Sequence, residues 1–242
     1  GTLLISFFMV IITGAFLLML PAATPDAGHL DFLTALFTAT SAVCVTGLSI
    51  IDVATELTTV GKVILVLLIQ IGGLGIMVFS FFGMLAFRRK LSIAEKLTVS
   101  YMVSEDDMSG LFKALRVIVG STFLVEAVSA GFLFLGFSRT MGASAKTLGF
   151  AAFHAVSAFC NAGFALFSNN LESFIGDPII SLTISFTIIL GGIGFAVMYD
   201  TARKIKTETC NAFKKKKTTF FLPLNTQIVL IMTAGILFIS FA

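Results

Sequence analysis

Long uncharged stretches alternate with short polar ones along this chain, and the apolar stretches come in two lengths. The longer ones match the roughly 20 helical residues that cross about 30 Å of hydrocarbon. One of them contains a single acid, Glu126, and another follows Pro178, a residue type favoured at the first position of a helix. The pattern predicts five membrane-spanning helices, the last of them cut short. They cover residues 1–23, 63–87, 117–138, 179–199 and 224–242.

Two further apolar stretches, residues 30–43 and 147–159, are too short to cross a bilayer. Each would form about 20 Å of helix, which fits a half-helix that enters the membrane and turns back. The alternative interpretation is an amphipathic helix lying on the outer surface. We favour the re-entrant interpretation on length, and a glycine-containing turn follows each stretch directly.

Composition narrows the class of protein. Hydrophobic residues make up 57% of the 242 positions and charged residues 12%, about half the charged share of a typical soluble domain. This balance excludes an ordinary soluble domain and a disordered chain. The three cysteines have no paired spacing and the two histidines lie far apart, so neither a metal site nor a catalytic nucleophile is indicated. We therefore expect an integral membrane protein that is not an enzyme.

The basic residues predict the orientation of the chain. Of the 16 lysines and arginines, six lie within residues 88–116 and seven within residues 203–217. The positive-inside bias makes both segments cytoplasmic and the protein a multi-pass component of the cell membrane. The lysine run at 214–217 then fits attraction to anionic lipid rather than to nucleic acid. The opposite side is mildly acidic, which would either concentrate cations at an outer mouth or simply reflect the placement of bases inside.

An internal repeat decides the predicted architecture. The segment FTATSAVCVTGL at 37–48 matches FHAVSAFCNAGF at 153–164 in six of twelve positions, and GGLG at 72–75 matches GGIG at 191–194. Span, half-helix, glycine turn and span therefore occur twice. We predict an all-α membrane protein of repeated span–pore-helix–span units, with re-entrant filter loops like those of a potassium channel. The units and linkers are 1–87, a cytoplasmic linker 88–116, 117–199, a cytoplasmic linker 200–223, and 224–242 as the truncated start of a third unit.

The two turns carry the predicted chemistry. Non-helical backbone at membrane depth is tolerated only inside protein or beside a water-filled cavity, and rings of carbonyl groups can replace the hydration shell of potassium. A half-helix whose C-terminus points at the pore adds the negative end of its dipole. Glycine in each turn would allow the dihedral angles that aim a carbonyl inward. The predicted filter residues are Cys44, Val45, Thr46, Gly47, Cys160, Asn161, Ala162 and Gly163.

Other residues have two interpretations each. Glycines within the spans fit close helix packing or a hinge better than a phosphate loop or direct ion contact. Glu126 would lie near mid-bilayer, either as a gating or ion-contacting group or as a satisfied buried acid. For His154 we expect a helix-packing hydrogen bond rather than pH sensing. The candidates for gating or packing are Glu126, Gly72, Gly73, Gly75, Gly191, Gly192 and Gly194.

Three of these segments, 31–48, 68–75 and 153–164, resemble the membrane subunit of the Trk/Ktr/HKT potassium-uptake superfamily, the Ktr-type branch most closely. The resemblance implies a pore of four covalently joined units with one filter glycine each. It further implies potassium as the substrate, sodium as an activator in many Ktr-type members, and no tightly bound cofactor. The implied partners are the lipid bilayer, a second copy of the pore subunit and a cytosolic nucleotide-binding regulatory subunit.

Carried over to this sequence, the resemblance makes Gly47 and Gly163 the filter glycines of the first two units. Val45, Thr46, Asn161 and Ala162 would then donate carbonyls. The chain departs from the family in length, since the third and fourth filter glycines and the gating loop of the third unit are absent. We therefore expect a fragment, which the first residue Gly1 also suggests, or a partner polypeptide that supplies the third and fourth units. The alternative function is a non-conducting assembly or regulatory subunit, and an intramembrane enzyme is disfavoured further.

Overall fold

The computed structural model describes residues 2–25, 30–75, 108–214 and 221–241, and in these ranges the regular structure is entirely helical. This confirms the predicted all-α class. A short 3-10 helix, Glu172–Phe174, precedes the seventh α-helix. The α-helices are α1 (Thr2–Leu18), α2 (Phe32–Val43), α3 (Val53–Glu56), α4 (Thr59–Leu74), α5 (Met108–Met141), α6 (Ala145–Phe159), α7 (Pro178–Gly192), α8 (Phe195–Lys214) and α9 (Leu224–Phe241).

The two short apolar stretches form helices α2 and α6, and both end at the predicted residues, Val43 and Phe159. Their starts differ by two residues from the predictions because each follows a capping side chain. Asp31 accepts a hydrogen bond from the Thr34 backbone N–H at 3.3 Å. Ser144 accepts one from the Thr147 N–H at 3.2 Å. Such caps satisfy backbone donors that a helix start leaves free.

The longer helices depart from the predicted spans in two places. The predicted span 63–87 begins earlier, at Thr59, because Thr58 caps α4, and the helix stops at Leu74 before Gly75, whose φ is 77°. The predicted span 179–199 is likewise interrupted, with α7 ending before Gly194 at φ 96°. Within the described residues, therefore, neither predicted span is a single unbroken helix. Residues 76–107 lie outside the described ranges and include the end of the predicted span 63–87 and residues 88–107 of the first predicted linker. Residues 215–220 of the second predicted linker also lie outside them.

The other predicted spans fall close to helices. Helix α1 stops at Leu18, five residues before the predicted end, and a turn follows ahead of Pro25. Helix α5 contains the predicted span 117–138 and extends beyond both of its ends. Helix α9 begins at Leu224 as predicted.

Length and composition alone single out few described helices as able to cross a membrane. Leu115–Met141 meets both criteria, and a second would be counted if Pro178–Gly192 and Phe195–Thr209 were one interrupted span. Four other described apolar helices are too short to meet the length criterion. They are Leu4–Leu18, Phe32–Val43, Thr59–Leu74 and Leu224–Ile239. The five spans therefore stay a prediction.

The described residues form two compact units. The first draws on Gly1–Arg88 and Phe123–Gly192, and it contains α1 to α4, the C-terminal part of α5, α6 and α7. The second draws on Arg89–Thr122 and Ile193–Ala242, and within it Thr226 of α9 donates a hydrogen bond to Asp200 of α8 at 2.5 Å. Both copies of the sequence repeat thus contribute to the first unit, and the predicted domain boundaries stay predictions.

Candidate functional site

The turn after α2 has an uncommon backbone conformation. Val45 has φ 55° and Gly47 has φ 74°, while the intervening Thr46 does not have a positive φ. The Val45 N–H donates to the Ala42 carbonyl at 3.3 Å and the Thr46 N–H to the Ser41 carbonyl at 2.9 Å. These are the two bonds of a Schellman motif, which usually has glycine where Val45 stands. A left-handed valine costs about 1–2 kcal/mol, so the surrounding structure has to hold this turn in place.

The turn after α6 repeats this conformation 116 residues later. Asn161 has φ 58° and Gly163 has φ 72°. The Asn161 N–H donates to the Ala158 carbonyl at 3.0 Å and the Ala162 N–H to the Ser157 carbonyl at 2.7 Å. Asparagine tolerates the left-handed region better than valine does, so the second turn is less strained than the first.

The two turns meet at their glycines. A Cβ atom placed on Gly47 would lie 2.6 Å from the carbonyl oxygen of Ala162 and 3.5 Å from the Cα of Gly163. A Cβ on Gly163 would lie 3.5 Å from the Cα of Gly47, an ordinary van der Waals contact. The structure therefore brings together the two glycines that the repeat predicts to be equivalent, and the space is tighter at Gly47.

The exposed side of this junction is formed by backbone and small side chains. Within the described part of the chain, Cys44, Thr46, Asn161 and Gly163 are exposed and Val45 and Gly47 are half-buried. Cys160 and Ala162 are buried. All eight predicted filter residues thus lie in these two turns, and the C-terminal ends of α2 and α6 lead directly into them.

The ends of α2 and α6 pack closely against glycines of α4 and α7. A Cβ on Gly72 of α4 would overlap the backbone carbonyl of Val43, the last residue of α2. A Cβ on Gly191 of α7 would overlap the carbonyl of Phe159, the last residue of α6. For both glycines the predicted interpretation as packing residues agrees with these contacts.

The other glycines of the two clusters have different surroundings. A Cβ on Gly73 would overlap the Sγ of Cys160, so α4 of the first repeat touches the turn of the second. A Cβ on Gly192 would have only the Asn161 Nδ2 nearby, at 3.9 Å. Gly75 and Gly194 have positive φ angles and lie where α4 and α7 end. Glycines spaced three residues apart are the sequence feature that could have indicated these two helix ends.

Glu126 of α5 is buried, with 5% of its surface exposed. It lies beside Gln70 of α4 and within electrostatic reach of Cys160. Even so, the Oε1 of Glu126 and the Nε2 of Gln70 have no hydrogen-bond partner of acceptable geometry. Glu126 is thus a buried acid with an unsatisfied carboxyl oxygen, and its part in gating stays a prediction.

We expect Glu126→Gln to keep or raise the thermal stability of the detergent-solubilised protein, because it removes an ionisable group from a site where charge is costly. Glu126→Ala should lower stability by about 2–3 kcal/mol, since it leaves a cavity beside the polar Gln70. Thermal unfolding of the two variants and the wild type would measure this. A Glu126→Gln protein as unstable as Glu126→Ala would contradict the packing interpretation.

A hydrogen bond joins the loops beyond the two turns. Ser168 donates to the Oδ2 of Asp52 at 2.6 Å, and these residues are themselves equivalent under the 116-residue shift. Asp52 also caps α3 by accepting from the Ala54 N–H at 2.9 Å. The hydrogen bond from Ser168 is the main cause that lowers the pKa of Asp52 below its ordinary value of 3.8. Asp31, at the start of α2, has its pKa lowered through Thr34.

The hydrogen bond between Ser168 and Asp52 should be lost in acid. Because the pKa of Asp52 is lowered in the folded protein, the stability that its carboxylate contributes is fully present above the unfolded pKa near 4. This stability is lost as the pH falls through the lowered pKa. We expect backbone protection of residues 165–170 to show this acid step in hydrogen exchange corrected for intrinsic rates. Ser168→Ala should lack the step, whereas Ser173→Ala, which leaves Asp52 untouched, should keep it. An unchanged step in Ser168→Ala would show that the bond is not made.

Comparison with known proteins decides the family. A family model described as TrkH, cation transport protein, matches residues 3–242. The chain belongs to the TrkH family of cation transport proteins. This confirms the resemblance identified from the motifs, and it makes the chain a membrane protein of a transport family rather than an enzyme family.

Several curated relatives match this TrkH-family chain over most of its length. Ktr system potassium uptake protein B of Bacillus subtilis (strain 168) is 37% identical over 228 residues, covering 94% of this chain and 51% of the relative. The protein of the same description from Vibrio alginolyticus is 37% identical over 239 residues, covering 98% and 50%. Potassium/sodium uptake protein NtpJ of Enterococcus hirae is 33% identical over 229 residues, covering 94% and 51%. The chain spans about half the length of the curated relatives it matches.

Proposed function

We propose that this chain forms two of the units of a potassium-uptake pore, with the turns after α2 and α6 as parts of its selectivity filter. The observation that carries the proposal is the matched geometry of the two turns. They have the same pattern of positive φ angles, the same pair of helix-ending hydrogen bonds, and glycines that lie against each other. The relatives described as potassium uptake proteins support potassium as the ion.

The turns have the backbone chemistry that such a filter needs. In an extended strand successive carbonyls point to opposite sides, so alternation between positive and negative φ angles can turn them toward one side. Positive φ angles at Val45 and Gly47, and at Asn161 and Gly163, provide that alternation. Aligned carbonyls would replace the hydration shell of a potassium ion. The C-terminal ends of α2 and α6 add partial negative charge at the same place.

The proposed path runs inward from the acidic side. A potassium ion would lose water near the loops that carry Asp31 and Asp52, and pass the carbonyls of residues 44–47 and 160–163 down its electrochemical gradient. The linkers 88–116 and 200–223 would lie in the cytoplasm and the helices would cross the cell membrane several times. Large exposed apolar side chains on α1 and α5, such as Leu4, Phe8 and Leu124, suit contact with lipid or with neighbouring helices.

Two turns cannot surround an ion, so the pore requires a third and a fourth unit. Helix α9 would be the first span of the third. We further propose a homodimer, activation by sodium, no tightly bound cofactor, and regulation by a cytosolic nucleotide-binding subunit. These follow from the resemblance to Ktr-type proteins.

The test is potassium uptake by the complete reading frame in cells that lack their own uptake systems. We expect growth at low potassium and rubidium uptake that is reduced by competing potassium more than by sodium. Folded protein in the membrane without uptake, alone or with a nucleotide-binding partner, would overturn the proposal and favour a non-conducting assembly subunit.

A further inference from the structure

Two side chains of α6 hold the chain segment that follows the second turn. The Nε2 of His154 lies 3.2 Å from the backbone N–H of Leu166, and the Oγ of Ser157 donates to the Phe164 carbonyl at 2.7 Å. On the other side of the ring, the Nδ1 of His154 lies 2.7 Å from the Phe150 carbonyl. His154 and Ser157 are 2% and 3% exposed, so water cannot substitute for these partners. Segment 164–166 is thereby tied to α6 at two points.

The partners define the protonation state of His154. The Leu166 N–H can only donate, so Nε2 accepts and carries no proton. The ring proton is then on Nδ1, which donates to the Phe150 carbonyl. This neutral tautomer satisfies both nitrogens.

A cluster of phenylalanines fixes the plane of the His154 ring. Phe167 stacks on it with ring centroids 5.2 Å apart, and Phe137 and Phe153 meet it edge-on at 5.5 and 5.8 Å. Phe137 and Phe167 also contact Phe174, at 5.1 and 4.9 Å. The cluster joins α5, α6 and the segment beyond the turn. Ring packing and hydrogen bonds therefore hold His154 in one orientation.

The first turn lacks this arrangement. Thr38 stands where His154 would be expected from the repeat, and its Oγ1 donates to the Thr34 carbonyl of its own helix at 2.8 Å. Ser41, the counterpart of Ser157, accepts a hydrogen bond from the Thr46 Oγ1 at 2.9 Å, within the turn itself. Among the described residues, no side chain of α2 hydrogen-bonds to residues 48–50. The two turns are thus supported in different ways.

We propose that His154 is a positioning residue that sets the carbonyls of the second turn by holding Leu166, and with it the chain just beyond Gly163. This rests on the proposed function, in which those carbonyls contact potassium. Ser157 acts in the same direction through Phe164. Loss of the tie should allow the turn to relax, and a relaxed turn discriminates less between potassium and sodium.

Three substitutions separate hydrogen bonding from packing. His154→Phe keeps a ring inside the phenylalanine cluster but removes both bonds, whereas His154→Gln keeps an acceptor and a donor at its end. Thr38→Val is the matched control in the first repeat, because it removes only a bond within α2. We expect His154→Phe to reduce the preference for potassium over sodium on the order of tenfold and to raise the apparent KM for potassium at unchanged maximal uptake per folded protein. His154→Gln and Thr38→Val should stay close to the wild type.

Nitrogen NMR of histidine-labelled protein provides a readout that does not depend on transport. His154 is one of two histidines, so His154→Gln identifies its signals. The inference requires an unprotonated Nε2 and a protonated Nδ1. Where His154→Phe does not fold, Ser157→Ala should also reduce the preference for potassium over sodium, to a smaller extent.

The outcomes distinguish this inference from the proposed function. Absence of potassium uptake by the folded wild type would overturn the proposed function, and the inference that rests on it. Uptake by the wild type together with a protonated Nε2, or with equal ion preference in His154→Phe and Thr38→Val, would overturn the role of His154 alone. Equal losses in His154→Phe and His154→Gln would assign the effect to packing and also overturn it.

Discussion

Gly47→Ser should abolish most of the preference for potassium over sodium, and Gly163→Ser should weaken it less. Both substitutions place a side chain at a positive φ, which costs about 1–2 kcal/mol. At Gly47 the new Cβ would also lie 2.6 Å from the Ala162 carbonyl oxygen, one of the proposed ion ligands, whereas at Gly163 the nearest atom is 3.5 Å away. Gly47→Ser therefore disturbs both turns at once. Competition between rubidium and sodium uptake would measure the difference.

Gly142→Ser is the matched control for this pair. Gly142 has a φ of 76°, as positive as those of the two turn glycines, and a Cβ there would have no atom within 4 Å. It should therefore carry the backbone strain without any effect on ion preference. If Gly142→Ser changed ion preference as much as Gly47→Ser, the strain alone would explain the result and the filter assignment would lose its support.

Gly191→Ala and Gly72→Ala should both prevent stable folding. The added methyl group would occupy the position of a backbone carbonyl at the end of α6 or α2, and a helix end held by its turn cannot move aside as a side chain can. Overpacking typically costs about 1–3 kcal/mol, and a backbone clash belongs at the upper end of that range or above it. The measurement is the fraction of monodisperse protein that remains after heating in detergent.

The neighbouring Gly192→Ala is the control, because the closest atom to its Cβ would be the Asn161 Nδ2 at 3.9 Å. It should melt close to the wild type. Equal stability of Gly191→Ala and Gly192→Ala would mean that Gly191 of α7 does not pack against the end of α6.

The sequence predicted the parts of this fold that follow from hydropathy and from the repeat. The ends of α2 and α6 were found because the repeated glycine turns begin directly after Val43 and Phe159. The equivalence of Gly47 and Gly163 followed from the repeat. These features depend on composition and spacing, which are visible in one dimension.

Other features could not be predicted because they depend on backbone conformation or on distant partners. Hydropathy does not register a break such as Gly75, since the residues on both sides are apolar. Val45 is a β-branched residue, the type least expected in a left-handed conformation. The bond between His154 and Leu166 requires that the chain return along α6, which no local pattern indicates.

Anomalous diffraction from rubidium-soaked crystals of the complete protein would test whether the two turns bind the transported ion. Rubidium substitutes for potassium, and its signal locates the ion without reference to transport rates. We expect a peak on the exposed side of the two turns, within direct coordination distance of the carbonyls of residues 44–47 and 160–163. Bound rubidium elsewhere in the membrane region, with no peak at these carbonyls, would contradict it.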